Sequence, residues 1–147
     1  KQFAGVEHRL EFVEEIDGIR FVNDSKGTNP DSSIKAVEAM PPGIVLIAGG
    51  YDKGGDFEGL IDSFAGKVKG LVLLGKTAEK MKDTAENKGF DNIKMVKDMD
   101  EGVRMAYEMA SRGDTVLLSP ACASWDMYSN FEQRGEHFKT LVHKLAN

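Results

Sequence analysis

With a single cysteine, Cys122, the chain has no internal disulfide available to it, which points to a reducing compartment and a cytoplasmic setting. Long apolar runs are also missing. None approaches the roughly 20 residues that a membrane helix requires, so no membrane partner is expected. The opening Lys1-Gln2-Phe3 leads into polar sequence and carries no secretory signal. Basic excess is lacking too: Lys+Arg 19 against Asp+Glu 24 leaves a net charge of -5. With no dense basic stripe, this argues against nucleic acid as a partner. An acidic protein that binds an anion needs locally placed cations, and Lys26 and Lys53 are candidates on that ground. No repeat and no low-complexity stretch interrupts the 147 residues, a length suited to one domain with a real core.

What is present is an alternation of strand and helix patterns. Leu10 to Ile16 alternates apolar and charged residues like a half-buried strand. Asp17-Gly18 supplies a tight turn, and Ile19 to Val22 returns as the second strand of an antiparallel hairpin. Asn29-Pro30 reads as N-cap and first helical residue, with the helix running to about Met40 before Pro41-Pro42. Ile44 to Ala48 is a continuous apolar run, as in a strand buried on both faces. Helical spacing follows at Phe57, Leu60, Ile61 and Phe64, a buried strand at Leu71 to Leu74, and a helix at Ala78, Met81 and Ala85. A weaker strand at Ile93 to Val96 precedes a helix with Met99, Val103, Ala106 and Ala110. Thr115 to Leu118 is the last strand, and the closing helix carries Phe131, Phe138, Leu141, Val142 and Leu145. Such alternation implies a Rossmann-like α/β three-layer sandwich, with a mostly parallel sheet of about six strands and one antiparallel hairpin strand.

One segment mimics a nucleotide site. Gly70-Leu71-Val72-Leu73-Leu74-Gly75-Lys76-Thr77 matches the literal phosphate-loop pattern. Its middle residues should form an open loop whose N–H groups surround phosphate. Here they are the buried strand itself, and Phe64 to Lys69 reads as a helix end rather than a strand leading in. No G-x-G-x-x-G fingerprint follows the first parallel strand, so a dinucleotide cofactor is unsupported.

Three polar, glycine-rich segments sit just past strand-forming runs: Asn23 to Asn29, Gly49 to Asp56, and Ser119 to Ser124. In an open parallel sheet such loops converge on one edge, where ligands bind. The first holds two hydroxyls, a cation and a carboxylate beside a helix N-terminus, a place suited to a carboxylate or phosphate. It also serves as a plain polar connection capped by Asn29. The second carries four glycines around Lys53, with Asp56 as expected N-cap; four exceed what a turn demands, and close approach of backbone to ligand explains them better. In the third, Cys122 reads as a small buried residue rather than a nucleophile, because no histidine lies on the same element. Trp125, Tyr128 and Phe131 read equally as core or as walls of the site. His8-Arg9 reads as a surface pair by spacing alone.

Together these residues resemble the C-terminal domain of the Mur ligases. The motifs are N-D-S-K-x-T-N at Asn23 to Asn29, the glycine-rich loop with Lys53 and Asp56-Phe57, L-S-P-A-C-A-S at Leu118 to Ser124, and Asn130-Phe131-Glu132-Gln133-Arg134-Gly135. The resemblance spans nearly the whole chain, from His8-Arg9 to the last helix, and the D-S-K-x-T-N form resembles the D-glutamate-adding branch. Departures are small: Gly27 where alanine is usual, and Trp125 at a variable position. The resemblance implies ATP-dependent amide formation through an acyl phosphate, joining D-glutamate to UDP-N-acetylmuramoyl-L-alanine in peptidoglycan precursor synthesis. It implies that Thr28, Lys53, Ser124 and the backbone at Phe131 hold the two carboxylates of D-glutamate. Lys26 would lie close to the reacting centre, with His8, Arg9 and Asp24 reaching toward ATP. ATP and Mg²⁺ would be held mainly by an absent domain, with no metal ligand in these residues.

The chain does not begin with Met, and its opening reads like the tail of a linker. Residues 1–147 are therefore expected to be one α/β domain, the C-terminal part of a three-domain ligase whose N-terminal and central domains are its partners, and to be inactive alone. Two other readings stay open at this point: a free-standing module that binds a small anionic metabolite without catalysis, and a small nucleotide triphosphatase using Gly70 to Thr77. The ligase reading requires Thr28, Lys53 and Ser124, far apart along the chain, to rim a single cleft.

Overall fold

A computed structural model describes residues 6–147; the expected linker tail at residues 1–5 lies outside the described residues. Strands β1 (Glu11–Ile16) and β2 (Ile19–Asn23) form the hairpin, with Asp17 at φ 54 and Gly18 at φ 80 supplying the turn. Helix α1 (Pro30–Ala39), β3 (Ile44–Ala48), α2 (Glu58–Asp62), β4 (Val68–Leu73), α3 (Ala78–Asn87), β5 (Ile93–Met95), α4 (Met99–Met109), β6 (Thr115–Leu118) and α5 (Phe131–Ala146) follow. The sheet has 6 strands in the order β1-β2-β6-β3-β4-β5, parallel throughout except for the β1–β2 pair. The expected three-layer sandwich is thus what the chain forms.

Period-two alternation divides the core cleanly. Ile44, Leu46, Ala48, Leu71, Leu73 and Leu117 face a layer built by α1, α2 and α3, through Val37, Leu60 and Met81. Val45, Ile47, Val72, Val116 and Leu118 face α4 and α5, through Met99, Val103, Phe138 and Val142. Each such Val, Leu, Ile, Met or Phe side chain, sealed from water, contributes roughly 1.5–3 kcal/mol of transfer free energy. Asn29 caps α1 by accepting from the Ser32 N–H at 2.9 Å, as its position before Pro30 predicts.

Element boundaries differ from expectation in a few places. Leu10 adopts φ 46, so β1 begins one residue later, at Glu11. A register shift between Phe12 and Glu14 marks a bulge in β1. Strand β4 begins at Val68 rather than Leu71, taking up part of the stretch read as a helix end. Lys69 hides this in the sequence: it is exposed and reaches Asp114 at 2.7 Å, while Gly70 makes room for Met109. Helix α2 is a single short turn and a half whose N-cap position falls on Phe57, not Asp56. Asp56 still supports the helix start, accepting from the Glu58 N–H at 2.8 Å.

Candidate active site at the carboxyl edge

Strand β6 inserts between β2 and β3, so the strand order reverses there and the connections leave toward opposite faces: α1 on one side, α5 on the other. A crevice at the carboxyl ends of the strands is the consequence. The loops around it are sewn together by backbone bonds. Ala121 N–H donates to Gly27 O at 2.9 Å, Gly49 N–H to Pro120 O at 3.0 Å and Tyr51 N–H to Ala123 O at 2.9 Å.

Thr28 and Lys53 meet on the wall of one cavity of about 190 Å³, together with Tyr51, Phe57, Ala121 and Cys122. Lys53 is exposed and its Nζ lies 5.9 Å from the centre of the Trp125 ring, which itself packs 5.3 Å from Tyr51. Ser124 lies on the same edge of the sheet but is only 2% exposed and is not part of that wall. Its carbonyl accepts from the N–H groups of Met127 and Tyr128, which folds the start of the β6–α5 connection back on itself. Two of the three residues required at one cleft therefore share a cavity, and the third stands beside it.

The other site candidates gather nearer α5. Lys26 is exposed with its Nζ 5.8 Å from the Phe131 ring centre, so the two lysines sit over different aromatics. The Phe131 carbonyl accepts from Ser25 Oγ at 2.7 Å, and its ring meets His8 edge-on at 6.0 Å. His8 is buried, not a surface residue, with Nδ1 2.9 Å from Asn23 Nδ2. Asn23 Oδ1 already accepts from the Ser25 N–H, which orients its amide so that Nδ2 donates and His8 Nδ1 accepts. Arg9 is exposed.

Asp24 is 4% exposed; its carboxylate accepts from the Leu10 N–H at 3.0 Å and from Ser119 Oγ at 2.6 Å. Burial raises its pKa above the ordinary aspartate value, against the pull of those bonds. Cys122 is likewise deep, and burial pushes its thiol up to about 11. It stays protonated and unreactive at neutral pH, as the residue's setting predicted.

Two glycine readings need correction. Gly49 and Gly50 do not clear space for a ligand: a side chain at Gly49 would overlap the Leu74 carbonyl, and one at Gly50 would lie 2.6 Å from Ala123 O. Their N–H groups are spent on Pro120 O and Thr77 Oγ1. Only Gly54 and Gly55, farther out, stand clear of close protein contact.

Sequence reasoning placed Arg134 in a motif but gave it no role. It is 3% exposed and donates from Nε to Ser25 Oγ at 2.9 Å, from Nη1 to Cys122 O at 2.9 Å and from Nη2 to Ser25 O at 2.7 Å. The signal was there: a charged residue stands within the apolar stripe of α5 set by Phe131, Phe138, Leu141 and Leu145.

Comparison with known proteins adds the rest. The family described as Mur ligase, glutamate ligase domain matches residues 8–122. UDP-N-acetylmuramoylalanine–D-glutamate ligase of Alkaliphilus oremlandii is 57% identical over 145 residues, covering 99% of this chain and 32% of that protein. Its counterpart of the same name in Clostridioides difficile is 57% identical over 143 residues, covering 97% and 32%. The chain thus spans about a third of the length of the curated relatives it matches. Among solved structures, UDP-N-acetylmuramate-alanine ligase MurC of Thermotoga maritima superposes with TM-score 0.66 at 14% identity, over 97% of this chain and 31% of that one. A folylpolyglutamate synthase from Thermotoga maritima gives TM-score 0.64 at 20% identity, over 98% and 32%. These two structural matches speak to the fold.

Proposed function

The chain belongs to the Mur ligase family, and on that premise we propose that it is the C-terminal, amino-acid-binding domain of a three-domain, ATP-dependent ligase that adds D-glutamate to UDP-N-acetylmuramoyl-L-alanine in the cytoplasm. The observation that carries this reading is the meeting of Thr28 and Lys53 at one cavity, with Lys26 at a second station by Phe131. A dicarboxylate amino acid needs two separate anion positions, and lysines supply point charges that fill them. Thr28 and Lys53 bind one carboxylate. Ser124 and the backbone at Phe131 flank the other, and Lys26 stands close to the reacting centre.

Bound ATP supplies the phosphoryl group that activates the carboxylate of the acceptor. The role of this domain is to present the amine of D-glutamate to that activated carbon and to hold it there, which is catalysis by positioning and electrostatics. Arg9, exposed, suits a phosphate; His8 and Asp24 support that rim from below. Asp24 does not suit a Mg²⁺ ligand role at the crevice. Asp24, the carboxylate placed there, is buried and already accepts from two protein donors. The ion belongs to the other domains of the ligase on this reading. A non-catalytic binding module is not favoured, because the matched relatives carry ligase names.

The test is steady-state kinetics of the full-length ligase. Lys53→Ala raises the KM for D-glutamate by about 10- to 100-fold, the loss of one charge-assisted bond, with the KM for ATP within about twofold. D-Glutamate kinetics untouched by both Lys53→Ala and Thr28→Ala would remove the reading. Residues 1–147 alone are expected to show neither ATP hydrolysis nor ligation.

A further inference from the structure

Arg134 carries a charge that its surroundings do not balance. Among the described residues no carboxylate pairs with it; its acceptors are the Ser25 hydroxyl, the Ser25 carbonyl and the Cys122 carbonyl, all neutral. Two other titratable groups that face it, Cys122 and Tyr128, are pushed up by burial to about 11 and about 12, so both are uncharged at neutral pH. Asp126 acts on it electrostatically but forms no salt bridge with it, its Oδ2 being engaged by the Lys76 N–H at 3.0 Å. Burial brings the guanidinium down to about 10, which leaves it fully charged at pH 7. A buried cation without a counter-ion is costly, and neutral donors of similar length would tie the same loops without that cost. The position of the charge explains why it is kept. Cys122, whose carbonyl Arg134 holds, lies on the wall shared by Thr28 and Lys53, so the guanidinium stands one residue behind the cavity. Gly50 lies alongside: a Cβ built there would fall 3.6 Å from Nη1, packed between Ala123 O and the Cys122 side chain.

We propose that Arg134 is the standing counter-charge of the amino-acid subsite: a positioning residue, not in contact with the ligand, whose charge is balanced when a dicarboxylate occupies the cavity walled by Thr28, Lys53 and Cys122. This role rests on the D-glutamate reading above. Lys26 and Lys53 are exposed, so salt screens their attraction for the ligand; a buried charge acts through low dielectric and is screened far less. The lysines therefore capture the anion from solution, and Arg134 holds it in register with the two loops that its fork ties together.

The experiment uses the full-length ligase, with KM for D-glutamate and for ATP measured at 50 and 500 mM KCl. Arg134→Met raises the KM for D-glutamate about tenfold, by the same factor at both salt concentrations, with the KM for ATP within about twofold. Arg134→Lys, which keeps the charge and loses the fork, stays within about threefold of wild type. Lysine failing as badly as methionine would overturn the proposal, since fork geometry alone would then explain the residue. A silent Arg134→Met, or a parallel rise in the KM for ATP, would do the same. Should Arg134→Met fail to fold, Arg134→Lys decides: near-wild-type kinetics support the counter-charge, and a loss equal to that of Lys53→Ala refutes it. Wild-type enzyme without D-glutamate-dependent turnover would instead sink the underlying functional reading, a result distinct from each of these.

Discussion

The segments leaving the neighbouring strands β3 and β4 draw on the same residues: glycines, a lysine, and hydroxyl or carboxylate side chains. In the β4 segment, Gly70 to Thr77, the backbone is committed. Leu71 N–H donates to Asn92 O, Leu74 N–H to Ala48 O, Lys76 N–H to Asp126 and Thr77 N–H to Gly50 O. Those N–H groups are not available to surround a phosphate, although the spelling is that of a phosphate loop. The β3 segment, Gly49 to Asp56, has no such spelling, yet its outer half opens onto the cavity with Lys53 exposed. Its inner half behaves like its neighbour, because Gly49 and Gly50 are pressed against the backbone of Leu74 and Ala123. What separates framework from site is therefore whether N–H groups are already spent, not which residues are present.

Substitutions that sort one half from the other sharpen this contrast. The largest effect is expected for Gly49→Ala, where φ is 116 and a Cβ would overlap the Leu74 carbonyl. A loss of about 3 kcal/mol or more should appear in the urea midpoint of the domain. Next comes Cys122, whose sulfur sits 3.4 Å from Thr77 Oγ1 between the two segments. Burial raises its thiol from 9.0 to about 11, so the folded state favours the protonated form. That contribution is intact below pH 9.0 and is lost as pH rises through about 11. Wild type should thus lose about 2 kcal/mol relative to Cys122→Ser between those limits, read as diverging urea midpoints. A flat difference across that range would mean the thiol is not sealed.

Smaller effects complete the series. Gly54→Ala, at φ 83 but with nothing near its Cβ, should cost about 1 kcal/mol, the conformational term alone. Equal costs at Gly49 and Gly54 would erase the distinction between inner and outer halves. Lys76→Ala should change stability by less than about 0.5 kcal/mol and leave ATP binding by the full-length enzyme unaltered. Any loss of nucleotide affinity there would reinstate the β4 segment as a phosphate site.

Much of the architecture was legible because pattern and burial agree. Ile44 to Ala48 reads as a strand sealed on both faces and is one, with all of its residues buried. Boundaries were lost where a residue's role is local: Leu10 looks like strand but turns left-handed, and Lys69 looks like a helix end but pairs with Asp114 from within β4. At the site, spacing and residue type pointed to the edge where Thr28 and Lys53 meet. Glycine could announce a close approach at positions 49 and 50, but not whether ligand or backbone was the object. Arg134, Ser25 and Ser119 stand in the motifs but received no role of their own, because their significance lies in partners remote in sequence: Ser25 for Arg134, Asp24 for Ser119. Such pairings have no local signature.

The bulge in β1 bears on how the chain avoids its own kind. β1 lies at one margin of the sheet, where a row of unpaired backbone groups is a template for a strand from another molecule. The extra residue between Phe12 and Glu14 breaks the regular repeat that such stacking needs, and exposed Glu15 brings like charge to any second copy. At the far margin β5 is only 3 residues long, with Lys94 and Met95 exposed. Both borders are thereby poor nuclei for aggregation, a safeguard for a parallel sheet whose non-local pairings assemble slowly.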